Sequence, residues 1–239
     1  MIPGDSSLQA ASNFLAESIK DRYSYQFSWF TRPIIQYPQD IVAFQELVSS
    51  VKPDLIIETG IAHGGSLVLS ASLLCLLDVM EGLDPRKSPR KVVGVDIDIR
   101  PQNRKALGEH PLRFKMELIE GSSIAPDIVK EVRSHADGVE SVLVSLDSNH
   151  THEHVLAELN AYANLVSVGS YCIVFDTVVE DLPAGSFADR PWDVGNNPKT
   201  AVHEWLKHHP EFEIDKEIDK KLLISVAPDG YLRRKAIVV

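Results

Sequence analysis

The chain has 239 residues, 44% of them hydrophobic and 24% charged, enough for one generous α/β domain or a domain with an added terminal segment. Its formal net charge of -10, from 24 Lys and Arg against 34 Asp and Glu, comes without a basic stripe or a block of about five like charges. That pattern argues against nucleic acid and favours a small-molecule partner.

The first residues place Leu8, Ala11, Leu15 and Ile19 at helical spacing, and they carry acidic residues and no apolar leader-like core. An aromatic-rich stretch, "YSYQFSWFTRPIIQYP", follows, and then a second helical pattern in "QDIVAFQELVSSV". Residues 1–50 are therefore expected to form an N-terminal helical extension, and residues 51–239 the main domain. From residue 54 the rhythm changes to short β-branched runs alternating with helical windows: "DLIIE", "GSLVLSASLLCLLDVM", "KVVGVD", "LRFKMELIEG", "APDIVKEVRSHA", "SVLVSLD", "EHVLAELNAYANLV" and "SYCIVFD". Such alternation implies right-handed crossovers and a mostly parallel, doubly wound sheet with helices on both faces.

After Asp176 the regularity fails in "TVVEDLPAGSFADRPWDVGNNPKT", a connection long enough to suggest a lid or binding loop. The helical window "AVHEWLKHH" and the strand-like "FEIDKEI", "KLLISVA" and "GYLRRKAIV" close the chain. Cys75 and Cys172 each sit inside an apolar run, where a small buried hydrophobe is expected rather than a ligand or a disulfide, and a reducing, cytoplasmic setting follows as the expectation. No run reaches the roughly eighteen apolar residues that a membrane span needs, which leaves peripheral membrane contact open.

In an open parallel sheet, ligands bind outside the carboxyl ends of the strands. Those ends read Glu58-Thr59-Gly60, Asp96, Gly121-Ser122, Asp147-Ser148-Asn149-His150 and Asp176. The first turn is G-x-x-x-G-G through Gly60, Gly64 and Gly65, opening a helix at Ser66, and it is not the dinucleotide spacing. Glycines there let a ligand approach the backbone, although simple chain reversal is the plainer alternative. Glu58 would repel pyrophosphate, and Asp96 could accept both ribose hydroxyls of a nucleoside. Together they suit S-adenosylmethionine, with Glu58, Thr59, Gly60, Gly64, Ser66, Asp96, Ser122 and Asp147 as the expected cofactor contacts.

Asp147 and Asp176, on adjacent strand ends, could hold a hard cation such as Mg2+. His150 could take the proton of a hydroxyl nucleophile, with Asp147 beside it as the second catalytic residue. His152 and His154 are expected as solvated residues at a helix start. Arg190, Trp192, Asn196 and Asn197 make either a sugar-binding surface or plain loop architecture, with Asn satisfying backbone groups and Pro198 opening a helix.

The segments "KPDLIIETGIAHGGS", "VVGVDIDIR", "DSNH", "RPWDVGNNPKTAVHEWL" and "KLLISVAPDGYLRR" resemble the cephalosporin hydroxylase/rhamnosyl O-methyltransferase family from about Trp29 to Arg234. That resemblance implies a Rossmann-like adenosylmethionine-dependent methyltransferase fold with a C-terminal antiparallel strand, acting on hydroxyls of sugars or natural products, and a homo-oligomer in which the N-terminal helices could serve association. In related metal-dependent sugar O-methyltransferases an aspartate and a following Glu-Asp pair surround magnesium, with the D-x-x-H histidine as base. Carried over, Asp147 and Asp176 become metal ligands and His150 the base, but Phe175 stands where the glutamate would be. Two other readings stay open: an iron-dependent hydroxylase, suggested by the family name, and a non-catalytic member that retained the nucleoside pocket.

Overall fold

The computed structural model describes residues 4–236. Helix α1 (Asp5–Lys20) leads into a short hairpin, β1 (Phe27–Trp29) and β2 (Arg32–Ile34), and then α2 (Pro38–Val51). Five parallel strands follow: β3 (Leu55–Thr59), β4 (Lys91–Asp96), β5 (Met116–Glu120), β6 (Val142–Leu146) and β7 (Tyr171–Val174). They are separated by α3 (Gly65–Met80), α4 (Pro101–Gly108), α5 (Pro126–Ser134) and α6 (His152–Tyr162). The chain ends with α7 (Pro198–Trp205), β8 (Phe212–Ile214), α8 (Lys216–Leu222) and β9 (Tyr231–Arg234).

The seven-stranded order is β5-β4-β3-β6-β7-β9-β8, with β9 antiparallel to both of its neighbours. Strand β3, whose five residues are all buried, lies where the winding reverses between β4 and β6. A crevice therefore opens above its carboxyl end. Side-chain alternation along the strands separates two cores. Ile56, Val92, Leu143 and Ile173 join α2 and α3 on one face, while Leu55, Ile57, Val93 and Val144 join α6 and α7 on the other.

The N-terminal elements share the first of these cores, since Ile34, Tyr37, Phe44 and Leu47 pack with residues of α3 and the sheet. Trp29 Nε1 donates to Ser72 Oγ of α3 at 3.0 Å. Cys75 is partly buried and Cys172 fully buried, and both are free thiols. No helix of the described residues is long and apolar enough to cross a membrane.

Two C-terminal expectations need correction. In "FEIDKEI" only Phe212–Ile214 is strand, because Asp215 accepts from the Glu217 N–H and starts α8, whose Ile218 and Leu222 face the core. "KLLISVA" is the end of that helix and an irregular turn rather than a strand. Its backbone is held by side chains instead, with Val226 N donating to Asp40 Oδ2 at 3.0 Å. In "GYLRRKAIV" the strand covers Tyr231–Arg234, and Ile237 and Val238 lie outside the described residues.

Candidate active site

The turn after β3 is pinned from several sides. Gly60 has φ +90°, and a Cβ on it would stand 2.0 Å from the Asp147 carbonyl oxygen. A Cβ on Gly65 would stand 2.3 Å from the Pro33 carbonyl. These two glycines let backbone pack on backbone, joining β3 to β6 and α3 to the hairpin, and both also line the cavity above the turn. Gly64, at φ +82°, is the N-cap of α3 and packs on Leu107.

Asp96 Oδ2 accepts from the Ile61 and Ala62 N–H groups at 2.8 and 3.0 Å, and Oδ1 accepts from Asp98 N. Arg32 donates to the His63 carbonyl from Nε and Nη2, and Asn103 donates to the Ala62 carbonyl. Both polarities of the turn's backbone are thus held by side chains.

Above this turn lies a cavity of about 610 Å³. Asp147, His150 and Asp176 meet on it, and one ligand atom from each lies within 4.8 Å of the others. They form the single cluster of this kind among the described residues. His150 Nε2 is 3.0 Å from Asp176 Oδ2. Asp176 takes φ 55°, a left-handed conformation that Asp tolerates, and opens the 3₁₀ turn Thr177–Asp181. The Trp192 ring meets the His150 ring edge-on with centroids 4.7 Å apart, and the Arg190 guanidinium lies over the indole. The long connection therefore closes over the histidine as a lid.

The surroundings are acidic. Burial, then the charges of Asp176 and Glu58, raises the Asp147 carboxyl well above its ordinary range. Glu58 is 2% exposed and accepts from Ser66 and Ser70. Burial outweighs those hydrogen bonds and pushes its pKa up to about 7.

The expected site residues divide. Gly60, Ser66, Asp147, His150, Asp176, Arg190 and Trp192 line the cavity. Asp96 and Ser122 do not, and Asp96 reaches it only through the turn that it holds. Thr59 is fully buried and does not line the cavity. Asn196 accepts from His152 N and donates to the Pro191 carbonyl. Asn197, fully buried, forms a reciprocal capping box with Thr200 and donates to Glu180. Both asparagines make the loop contacts of the second reading, and neither lines the cavity. His152 and His154 stand at the start of α6 as expected but are only partly exposed: the first contacts Thr200 and Glu204, the second Ser123, Ser148 and Glu158.

Sequence reasoning missed Gln36. It is 6% exposed, and its Nε2 donates to Asp147 Oδ2 at 2.9 Å. It also missed Lys20, Arg22 and Tyr25, which put the end of α1 on the cavity wall. The one signal for Gln36 was an amide inside the apolar run "PIIQYP".

The family model described as Rhamnosyl O-methyltransferase/CmcI matches residues 21–235. The rhamnosyl O-methyltransferase of Mycobacterium tuberculosis (strain ATCC 25618 / H37Rv) is 28% identical over 197 residues, 82% of this chain and 73% of that protein. That of Mycobacterium leprae (strain TN) is 26% identical over 228 residues, 92% of this chain and 91% of that protein. Among solved structures, the CmcI-N160 apo structure superposes with a TM-score of 0.58 at 17% identity, covering 89% of this chain and 77% of that one. An O-methyltransferase from Bacillus cereus in complex with SAH superposes with a TM-score of 0.51 at 17% identity, covering 89% and 84%. The solved structures share the Rossmann-like methyltransferase fold, and the match over residues 21–235 shows that the chain belongs to the Rhamnosyl O-methyltransferase/CmcI family.

Proposed function

We propose that this protein is an S-adenosylmethionine-dependent O-methyltransferase whose acceptor is a hydroxyl of a sugar, on a surface polysaccharide or glycolipid, or of a natural product. The observation that carries the reading is the Asp147, His150 and Asp176 cluster on a roofed cavity at the point where the sheet's winding reverses. Relatives named rhamnosyl O-methyltransferase support the sugar acceptor. In this reading residues 51–239 are the methyltransferase domain, and the extension 1–50 supplies one wall of its site.

The residues present fit both expected groups. The carboxyls of Asp147 and Asp176 and the buried amide oxygen Gln36 Oε1 suit a cofactor that carries a sulfonium and an ammonium, and Lys20, Arg22 and Arg190 on the same cavity suit its carboxylate. Two carboxylates and water suit Mg2+, which usually keeps several waters. Asp147 and Asp176 would hold the metal, and Phe175 contributes nothing to it. Adenosylmethionine, when bound, supplies the methyl group as a sulfonium electrophile. A cation on the two aspartates would make the acceptor hydroxyl more acidic.

The chain's own residues do the rest. His150 takes the hydroxyl proton on Nδ1, the ring nitrogen that does not face Asp176. Asp176, 3.0 Å from Nε2, stabilises the resulting imidazolium. With adenosylmethionine bound, the oxygen would accept its methyl as the sulfur–methyl bond breaks, releasing S-adenosylhomocysteine. Trp192 closes over His150 and keeps water from competing for the methyl. A hydroxylase would need two histidines and one carboxylate on one metal face, whereas this cluster has one histidine and two carboxylates.

Calorimetric titration with S-adenosylhomocysteine tests the cofactor, and a well-folded protein that does not bind it removes the proposal. His150→Ala should bind the compound within about twofold of wild type while methyl transfer to a panel of sugar glycosides falls by about 10²–10⁴. Unchanged turnover would remove the histidine as base.

A further inference from the structure

Gln36 sits in the short segment between β2 and α2, more than a hundred residues in sequence from the aspartate it touches. It lines the main cavity and also a small chamber behind it, where the carboxyls of Asp40, Glu58 and Asp147 converge. Its Nε2 donates to Asp147, and its Oε1 is buried with no donor among the described residues. A buried amide oxygen left unpaired is uncommon and costly, so a donor from outside the chain is the expected partner.

Of the chamber's three serine hydroxyls, Ser66 and Ser70 donate to Glu58, and Ser145 makes no hydrogen bond to Oε1. A donor that enters an acid-lined space is best carried by a cation, and a primary ammonium has three N–H groups to distribute. We propose that Gln36 is the residue that reads the ammonium of the cofactor's amino-acid end, sharing it with Asp147 while its Nε2 fixes the Asp147 carboxylate for the chemistry beside it. The proposal rests on the methyltransferase reading above and adds a cofactor-recognition and positioning residue supplied by the N-terminal extension.

The test is calorimetry on the full chain, with S-adenosylhomocysteine, with its analogue lacking the α-amino group, and with MgCl2 alone. Gln36→Met keeps the volume and removes both polar ends. It should weaken S-adenosylhomocysteine about tenfold or more and leave the deaminated analogue unchanged.

Weaker Mg2+ binding with unchanged S-adenosylhomocysteine binding would overturn the ammonium assignment and give Oε1 to a metal-bound water. Unchanged binding of both ligands by a folded variant would overturn it too. If Gln36→Met does not fold, wild type decides, because equal affinity for the compound and its deaminated analogue overturns the proposal by itself. Failure of wild type to bind either compound is a different result and strikes the methyltransferase reading.

Discussion

Phe175 occupies the position where the resemblance implies a metal-binding glutamate, and its surroundings give a physical reason for the exchange. The side chain is 6% exposed, packs into the core shared with α2 and α3, and borders the chamber where Asp40, Glu58 and Asp147 already meet. A fourth carboxyl there would be buried against three others with no cation from the chain to balance it. Phe175→Glu is therefore expected to lower stability by about 3–5 kcal/mol in urea denaturation and to gain nothing in a Mg2+ titration. A folded variant with tighter Mg2+ binding would show that the glutamate position is open after all. Asp147 and Asp176 were legible in the sequence because each ends a strand-like run, and His150 because it stands three residues beyond Asp147; strand ends of a parallel sheet converge. Gln36 was not, because its partner lies across the whole first half of the domain, and Asn196 misled because an amide that caps a helix looks the same in sequence as one that binds a sugar.

At the scale of elements, the long connection after β7 is held in shape by one fully buried side chain. Asn197 accepts from Lys199 N and Thr200 N, donates to the Asp193 carbonyl, and donates to Glu180, which also accepts from Gly195 N. It therefore joins the 3₁₀ turn after Asp176, the base of the lid and the start of α7. Asn197→Ala should cost about 1–2 kcal/mol for the lost cap. The lid that carries Trp192 should loosen, so KM for the acceptor rises severalfold while S-adenosylhomocysteine affinity, measured by calorimetry, stays within about twofold. An unchanged acceptor KM would mean that the lid's shape does not depend on this cap. The lid was legible from its length alone. "KLLISVA" was misread because a short apolar run has no period of its own, and the partner that fixes its backbone, Asp40, lies far away in sequence.

Across the whole molecule, Asp40 joins the two ends of the chain. It is 1% exposed on α2 and accepts from Ser225 Oγ, Val226 N and Tyr231 Oη, so α2 is bonded to β9 and the turn before it. Burial raises its pKa from 3.8 to about 6 against the pull of those three donors. Between pH of about 4 and about 6 the folded protein keeps a proton that the unfolded chain releases, so Asp40's contribution to stability falls as pH rises through that window. A raise of that size corresponds to about 3 kcal/mol, complete above the folded pKa. Glu58, pushed up to about 7, acts in the same direction and is common to both proteins when a variant at Asp40 is compared with wild type. Asp40→Asn does not titrate, so its stability relative to wild type should improve by about 3 kcal/mol between pH of about 4 and about 8, read from urea midpoints across that range. A difference that does not change with pH would mean that the three hydrogen bonds keep Asp40 ionised throughout, and that the two ends of the chain are joined by a buried charge rather than by a protonated acid.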